Sequence, residues 1–223
     1  MIVGVVGFLG SGKGTAGDIL IDQHGFTRIS FADAVKDAVS TIFGWPRDLL
    51  EGDTTISRNF REKKDDWWSD KFGYEVTPRY MLQLMGTEAG RDVFNSDLWI
   101  HTVSRRIDIA RKTDPNVKFV IPDVRFANEI DFIRKSGGHV IRVVRGEEPE
   151  WYNMALIANK NDQHELMNIH YPNIHMSEWA WIGQHFDYLL DNNGSLVMLE
   201  SDIKHMLKVF TGPKKPDTMS NVA

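Results

Sequence analysis

The sequence contains no cysteine. Disulfide bonds and cysteine-ligated metal sites are therefore excluded, and the composition fits a reducing compartment. No apolar run reaches the length of a membrane span, because the stretch at residues 2–9 is too short and lacks a basic flank. Positive charge is not in excess either, since the net charge is -5. We therefore expect a cytoplasmic protein that has neither a membrane nor a nucleic acid as its partner.

The length and composition predict one domain. The chain has 223 residues, of which 42% are hydrophobic and 26% are charged, as in ordinary soluble α/β domains. We assign residues 1–210 to this domain and predict a disordered tail for residues 211–223, which are polar and include two prolines. Two segments lack a clear period: residues 45–76, rich in charge and aromatic rings, and residues 147–184. We interpret the first as a mobile, partly helical excursion and the second as an irregular one, and we expect the two to act as acceptor-binding and lid segments.

Strand and helix patterns alternate along the rest of the chain. Short apolar runs predict strands, and segments with helical spacing or capping residues predict helices between them. The predicted strands are residues 2–6, 27–31, 117–121, 139–144 and 186–190. The predicted helices are residues 13–24, 32–43, 97–112, 127–136 and 195–210, with Ser195 as the cap of the last. A further helix is predicted to start at Thr77-Pro78, with Thr77 as its cap. This alternation predicts an α/β fold of the P-loop NTPase type, with three layers and a central parallel sheet covered by helices on both faces.

A glycine-rich loop, GFLGSGKGT at residues 7–15, is the strongest functional motif. It follows a predicted strand and opens a helix, which is the context that a phosphate loop requires. Glycines let successive backbone N–H groups surround a phosphate, and the helix N-terminus adds free donors. We predict that ATP is bound by this loop, and the alternative is a glycine-rich turn that binds nothing. The predicted ATP-binding residues of the loop are Gly10, Ser11, Gly12, Lys13, Gly14 and Thr15.

The last residues of this loop indicate which class of phosphate-loop protein the chain resembles. Gly14 and then Thr15 follow Lys13, whereas most phosphate loops have serine or threonine directly after the lysine. The Gly-Lys-Gly-Thr order resembles adenylate kinase and related nucleoside monophosphate kinases, and this resemblance implies that magnesium is held largely through water. Lys13 is the predicted catalytic cation for the β- and γ-phosphates of ATP.

A second candidate site follows the predicted strand 117–121. Ligands of doubly wound sheets gather at the carboxyl ends of the strands, where Asp123 and Arg125 lie. Asp123 is a candidate for ordering Mg²⁺ through water, and Arg125 is a candidate catalytic cation for the transferring phosphate. The alternative is a helix cap at Asp123 and a surface arginine at Arg125.

Three other basic residues are candidates for binding a phosphate group. Lys36 follows the second strand, which we expect beside the first strand, so that this lysine faces the acceptor. Arg91 follows Gly86 and Gly90, which suggest a helix end where backbone approaches a ligand. Arg145 leaves the strand at residues 139–144 and is a candidate lid arginine for ATP. For each of the three, the alternative is an exposed charge or a simple helix end. The motif HMSE at residues 175–178 predicts a local cap in which the serine opens a helix.

Several motifs occur together in the order found in one family. They are FADAVK at residues 31–36, LQLMGTE at 82–88, DLW at 97–99, DVRFANE at 123–129 and HMSE at 175–178. In this order the chain resembles the deoxynucleoside monophosphate kinases of tailed bacteriophages. The resemblance extends from residue 1 to about residue 210.

The resemblance implies transfer of the ATP γ-phosphate, with Mg²⁺, to a deoxynucleoside monophosphate, with dGMP favoured and dTMP or others accepted. It implies that Val35, Lys36 and Glu88 belong to the substrate site and that Arg91 and Arg125 serve the phosphates. It also implies a homodimer and, for a viral chain, the host cytoplasm. Two alternatives stay open: a P-loop kinase for another small acceptor such as dephospho-coenzyme A, and a regulatory module that binds nucleotide with little turnover.

Overall fold

A five-stranded parallel sheet forms the centre of the protein. The structure is a computed structural model, and it describes residues 1–212. The strands are β1 Ile2–Val6, β2 Phe26–Arg28, β3 Lys118–Ile121, β4 His139–Val144 and β5 Tyr188–Asp191. They lie in the order β2-β3-β1-β4-β5, so the expectation that the second strand neighbours the first is wrong. Val3 is paired with Val120 of β3, and Val5 with Ile141 of β4.

Helices cover both faces of this sheet, as predicted. The helices are α1 Lys13–His24, α2 Ala32–Phe43, α3 Thr55–Glu62, α4 Asp66–Phe72, α5 Pro78–Leu84, α6 Leu98–Thr113, α7 Ala127–Lys135, α8 Tyr152–Asn161, α9 Glu165–His170 and α10 Leu196–Thr211. Successive residues of β1 point to opposite faces. Val3 and Val5 pack in a core with α1 and α10, whereas Ile2 and Val6 pack in a core with α2, α6, α7 and α8.

The helix boundaries follow local capping chemistry. Thr77 accepts a hydrogen bond from the amide of Tyr80 at the start of α5, with Pro78 in its first turn. Ser195 does the same for Met198 at the start of α10. These two predicted caps are therefore confirmed.

Residues 45–76 pack over a small separate core that they share with α2 and α5. Trp45, Leu50 and Val76 are buried in this core. The Trp45 ring nitrogen donates to Asp65 over 2.8 Å, and the Asp65 side chain also caps α4. The expectation of a partly helical segment is confirmed, because α3 and α4 provide 15 of its 32 residues. The movement of this segment stays a prediction.

Residues 147–184 are more regular than the sequence suggested. They contain α8, α9 and a 3₁₀ helix, Met176–Glu178. Trp179 and Trp181 are almost wholly buried in the larger core, so these rings serve packing. The chain end also differs from the prediction, because Thr211 still belongs to α10 and the predicted tail otherwise lies outside the described residues after Gly212. No helix in residues 1–212 is long and apolar enough to cross a membrane.

Candidate active site

The glycine-rich loop connects β1 to α1; its Ser11 amide donates to the Phe8 carbonyl over 3.2 Å, whereas the amides at the start of α1 have no side-chain cap. Gly10 and Gly12 have φ values of 82° and 94°, where a side chain would be strained. Gly12 is the cap residue of α1, and no side chain caps this helix end. The hydroxyl of Ser11 is buried without a hydrogen-bond partner in the described residues. Since free N–H groups at a helix start attract anions, the loop is a preformed cradle for a phosphate.

Asn192, which directly follows β5, forms a hydrogen bond that holds the loop in place. Its amide nitrogen donates to the carbonyl of Ser11 over 2.8 Å. A Cβ atom on Gly12 would lie only 2.1 Å from that nitrogen, so the brace requires glycine there. The sequence showed Asn192 only as part of a turn after the last strand. This contact could not be predicted, because it depends on the strand order, which places β5 beside β4.

Lys13 lies under the loop in a partly buried position. Its ammonium donates to the carbonyls of Gly7 and Phe8, over 2.6 Å and 2.7 Å. The pKa of Lys13 is lowered from 10.5 to about 8, mainly by burial and also by the charge of Arg125, against the opposing effect of Glu178 and Asp123. Gly14 and Thr15 are exposed on the first turn of α1.

Asp123 joins the end of β3 to the start of α2. Its carboxylate accepts hydrogen bonds from the Ser30 hydroxyl at 2.7 Å and from the amides of Ala32 and Phe31 at 2.8 and 3.3 Å. The sequence alternatives for Asp123 were a metal acid and a helix cap. The structure shows a cap, although for α2 rather than for the helix that follows Asp123. One carboxylate oxygen accepts only the 3.3 Å bond, so it can take a further donor.

A pocket opens beside these strand ends. Its empty volume is about 720 Å³ with the open mouth included. Five basic side chains line it, and three acidic ones. The lining residues are Phe31, Ala32, Val35, Lys36, Arg61, Arg79, Leu82, Gln83, Gly86, Thr87, Arg91, Trp99, Asp123, Arg125, Phe126, Glu129, His175, Ser177 and Glu178. The structure therefore brings Val35, Lys36, Arg91, Asp123 and Arg125 together.

Arg125 reaches across the pocket to the 3₁₀ helix. Its guanidinium donates to the carboxylate of Glu178 over 2.5 Å and to the carbonyl of Ser177 over 3.2 Å. The prediction that Ser177 caps a helix is wrong, because His175 is the cap and its ring nitrogen accepts from the Ser177 amide. The HMSE motif thus supplies the acidic partner of Arg125.

Arg91 and Glu129 form a buried ion pair. The Arg91 side chain is 9% exposed and that of Glu129 is 2% exposed. The guanidinium of Arg91 also lies over the Phe126 ring, 4.1 Å from its centre. Glu129 accepts from the amides of Arg125 and Phe126 as well, at 2.7 and 3.1 Å, so one carboxylate positions both arginine segments. Burial raises the pKa of Glu129 to about 7 against the opposing effect of Arg91.

Lys36 lines the pocket from α2. Its ammonium donates to the Glu51 carboxylate over 2.6 Å, and Arg47 also pairs with this carboxylate. Although β3 separates β2 from β1, the pocket lies over the ends of β2 and β3, so Lys36 still reaches it. Val35 forms part of the apolar wall from the same helix.

The helix end expected at Gly86 and Gly90 is not present. The chain continues from α5 into a π-helix, Met85–Phe94. The Trp99 ring nitrogen donates to the Gly86 carbonyl over 2.8 Å. A Cβ atom on Gly90 would lie 2.4 Å from the same ring, so this glycine makes room for Trp99 rather than for a ligand.

Besides the residues of the glycine-rich loop, two predicted site residues lie outside the pocket wall. Glu88 is half exposed, with its carboxylate 4.0 Å from the His175 ring nitrogen. Arg145 is exposed directly after β4, the strand that neighbours β1. Their roles stay predictions. The sequence reasoning missed Arg61, Arg79 and Glu129 as individual site residues, since nothing in a linear pattern places residues 61 and 79 beside residue 125.

The comparisons with known proteins identify the family of the chain. The family profile described as Deoxynucleotide monophosphate kinase matches residues 49–165. A relative from Acanthamoeba polyphaga mimivirus, named "Putative deoxynucleotide monophosphate kinase", is 36% identical over 152 residues, covering 65% of this chain and 74% of the relative. The deoxynucleoside-5'-monophosphate kinase of Escherichia phage T5 is 29% identical over 186 residues, covering 61% of this chain and 72% of that protein.

Solved structures are similar at lower identity. TT1252 from Thermus thermophilus has a TM-score of 0.45 and 19% identity, with 95% of this chain and 98% of that chain covered. The dephospho-CoA kinase from Campylobacter jejuni has a TM-score of 0.42 and 16% identity, with 94% and 96% covered. The family assignment depends on the sequence matches, of which the profile match spans slightly more than half of the chain. The chain belongs to the deoxynucleotide monophosphate kinase family.

Proposed function

We propose that the protein transfers the γ-phosphate of ATP to a deoxynucleoside monophosphate and releases the diphosphate. One observation carries the proposal: a phosphate cradle and a cation-lined pocket meet at the same end of the sheet. Arg125 belongs to the pocket, and it lies close enough to Lys13 to lower the pKa of that lysine. Phosphoryl transfer depends on positioning and on positive charge around the transferring group, and this arrangement supplies both.

The loop is proposed to hold the phosphates of ATP. Gly10 and Gly12 are proposed to present backbone donors and Ser11 its unpartnered hydroxyl, and the amides of Gly14 and Thr15 continue these donors into the first turn of α1. The bonds from Lys13 to two loop carbonyls place its ammonium at the loop, where a β- or γ-phosphate can replace them. Arg145 is exposed at the end of the neighbouring strand and is proposed to close over ATP.

Magnesium fits this site as an ion held mainly by phosphates and water. In residues 1–212 no group of three or more His, Cys, Asp or Glu side chains could hold a metal, so a dedicated protein cage is absent from that range. Mg²⁺ commonly keeps several waters and takes one carboxylate beside the substrate phosphates. The less occupied oxygen of Asp123 suits such a contact. When bound, the ion would neutralise charge on the β- and γ-phosphates.

The acceptor is proposed to enter the pocket with its phosphate toward Arg125. Arg125 and Arg91 would stabilise the spread negative charge during in-line transfer, and the Glu178 and Glu129 carboxylates fix the two guanidinium groups. Val35 and Lys36 would contact the acceptor from α2, with Glu88 at the rim. Among the bases we favour guanine, with thymine second.

The larger assembly follows the same proposal. We propose that residues 1–210 act as one kinase domain. The segments of residues 45–76 and 147–184 are proposed to close as lids that exclude water. The enzyme is proposed to be a homodimer in the cytoplasm, which is the host's if the chain is viral. Exclusion of water would suppress ATP hydrolysis during transfer. Small nucleotides suit the pocket better than nucleic acid does, since the net charge is -5.

A coupled assay of ADP release tests this function. Each deoxynucleoside monophosphate, its ribonucleotide counterpart and dephospho-coenzyme A are supplied with ATP and Mg²⁺. We expect turnover with dGMP above all, and a drop of about 10³-fold or more in Lys13→Ala. Lys160→Ala, on the exposed face of α8, is the matched control with wild-type turnover. Equal rates on ribo and deoxy acceptors, or near-normal turnover in Lys13→Ala, would contradict the proposal.

A further inference from the structure

Arg142 is a buried charged residue in an interior strand of the sheet. It belongs to β4, where it is paired with Val6 of β1 on one side and with Leu189 of β5 on the other. Its side chain is only 9% exposed. Val140, two positions earlier in the strand, packs in the larger core, so Arg142 points to the same face of the sheet. A guanidinium at such a position has lost its hydration, which costs free energy unless other groups replace the water.

Three aromatic rings lie against the Arg142 guanidinium. Its central carbon is 5.1 Å from the ring centre of Trp181, 5.2 Å from that of Tyr152 and 5.8 Å from that of Phe8. These distances are typical of cation–π contacts, in which a guanidinium is attracted to the face of a ring. The guanidinium also donates to the Tyr152 hydroxyl over 3.2 Å and to the Glu148 carboxylate. The rings, the hydroxyl and the carboxylate together replace the lost water.

One of these rings belongs to the glycine-rich loop. The loop has two large apolar side chains, of which Leu9 is 87% exposed, whereas Phe8 packs against the larger core. The centre of the Phe8 ring is 4.9 Å from that of Trp181 and 5.4 Å from that of Trp151. The other residues of the loop are glycine, serine, lysine and threonine. Phe8 is therefore the apolar side chain through which the loop packs on the rest of the domain.

The backbone of Phe8 supports the phosphate-binding part of the loop. Its carbonyl accepts a hydrogen bond from the Lys13 ammonium at 2.7 Å and another from the Ser11 amide at 3.2 Å. A displacement of the Phe8 ring would move this carbonyl and the two groups bonded to it. A single residue thus connects the Arg142 guanidinium with the lysine that is proposed to meet the phosphates of ATP.

Stability does not explain an arginine at this position. Replacement of a buried ion pair by apolar side chains of similar volume is often neutral or stabilising. The Nε of Arg142 is buried without a hydrogen-bond partner among residues 1–212, which adds to the cost of its burial. Glu148 is 38% exposed, so water can solvate this carboxylate when the guanidinium is absent. What arginine offers is a rigid planar cation on which several rings can pack in fixed orientations.

We propose that Arg142 is a positioning residue for ATP: its guanidinium fixes the Phe8 ring, and the Phe8 carbonyl in turn places Lys13. This assignment rests on the proposed function, since it presumes that the loop of residues 7–15 holds ATP. Arg142 does not line the pocket proposed for the acceptor, so the affinity for the acceptor should not depend on it. The residue acts on the ATP side of the site alone.

Titration calorimetry on Arg142→Met tests this role. Methionine fills part of the same volume but has neither the charge nor the planar group. We expect the Kd for ATP with Mg²⁺ to rise about tenfold, with the Kd for dGMP within about twofold of wild type. The midpoint of urea unfolding should be no lower than that of wild type. Arg105→Met, an exposed substitution on α6, is the matched control and should leave both constants unchanged.

A double-mutant cycle separates positioning through Phe8 from general packing. Phe8→Leu removes the ring and should weaken ATP binding to a similar extent, whereas Phe94→Leu, at a position that is 74% exposed, should not. If Arg142 acts through the ring, the double variant Arg142→Met/Phe8→Leu loses no more affinity than the weaker-binding single variant. Arg142→Lys keeps the charge but not the planar group, so we expect it to recover only part of the affinity.

Three results would overturn the assignment. The first is a Kd for ATP in Arg142→Met within threefold of wild type. The second is an equal loss of affinity for dGMP, which would show general damage to the fold. The third is a double variant in which the two single losses multiply, because independent effects mean that Arg142 does not act through Phe8.

The titrations also separate this inference from the proposed function. Wild type that binds ATP but phosphorylates no deoxynucleotide would refute the kinase proposal, and the titrations would still decide the role of Arg142. Wild type that phosphorylates dGMP, with unchanged affinity for ATP in Arg142→Met, would refute the role of Arg142 alone.

Discussion

Replacement of Lys13 by methionine should stabilise the protein while it abolishes catalysis. Burial and the nearby Arg125 lower the pKa of Lys13 from 10.5 to about 8. This difference corresponds to about 3 kcal/mol by which the fold disfavours the charged side chain at neutral pH. Methionine keeps the length of the side chain, but the carbonyls of Gly7 and Phe8 lose their donor. We therefore expect the free energy of unfolding to rise by about 1–2 kcal/mol.

The dependence of this gain on pH has a definite sign. The pKa of Lys13 is lower in the folded state, so between about pH 8 and pH 10.5 the unfolded chain holds more protons. Wild type becomes more stable as the pH rises through that window, and the methionine variant, which has no group to titrate there, does not. From about pH 7 to about pH 9.5 the difference between the two should narrow by about 2 kcal/mol.

Urea unfolding at a series of pH values measures this difference. Lys160→Met, an exposed substitution on α8, is the control and should change stability by less than about 0.5 kcal/mol at every pH. Loss of stability in Lys13→Met, or a difference between variant and wild type that stays constant across the pH range, would refute the reasoning. The result would also show that the loop sacrifices stability for phosphate binding.

Two further outcomes follow from the same geometry. In wild type, kcat/KM for ATP should fall as the pH rises above about 8, because this ratio reports the free enzyme and Lys13 loses its charge there; a flat profile up to about pH 9.5 would contradict the lowered pKa. Asp123→Asn should lower the free energy of unfolding by about 1–2 kcal/mol, since the amide cannot accept all three bonds at the start of α2, and it should raise the KM for the acceptor. Asp131→Asn, an exposed substitution on α7, is the control in both assays. If Asp123→Asn loses turnover but keeps its stability, capping of α2 is not the main role of Asp123.

Local features of the fold were predictable from the sequence. The bounds of α1, α2 and β4 agree with the prediction to the residue. Each of them has a local signal: glycines end α1 and α2, and β4 is a short β-branched run after two glycines. Thr77 and Ser195 were also predictable as caps, because a cap depends on residues three positions apart.

Features that depend on distant parts of the chain were not predictable. The strand order is one, since a strand pattern does not reveal its neighbours. The π-helix at Met85–Phe94 is another, because Gly90 is explained only by the ring of Trp99 against it. The short helices α8 and α9 were hidden by the histidines and aromatic rings that dominate their sequence.

The candidate site shows the same division. The phosphate loop was evident from its glycines, and Arg125 from its position after a strand. Glu129 escaped notice because its partners, Arg91 and two backbone amides, meet only in the folded chain. Arg61 lies in a segment full of charges, and nothing in the sequence separates it from the exposed Arg58.

The bond from Asn192 to Ser11 has a consequence for synthesis on the ribosome. The loop proposed to hold ATP is translated well before Asn192, which lies 181 residues further along the chain, after β5. β5 must emerge and pair with β4 before this contact can form. A nascent chain would therefore carry the complete loop motif, without its bond from Asn192, while the residues between them are being translated. Full affinity for ATP should accordingly be acquired only once β5 has joined the sheet.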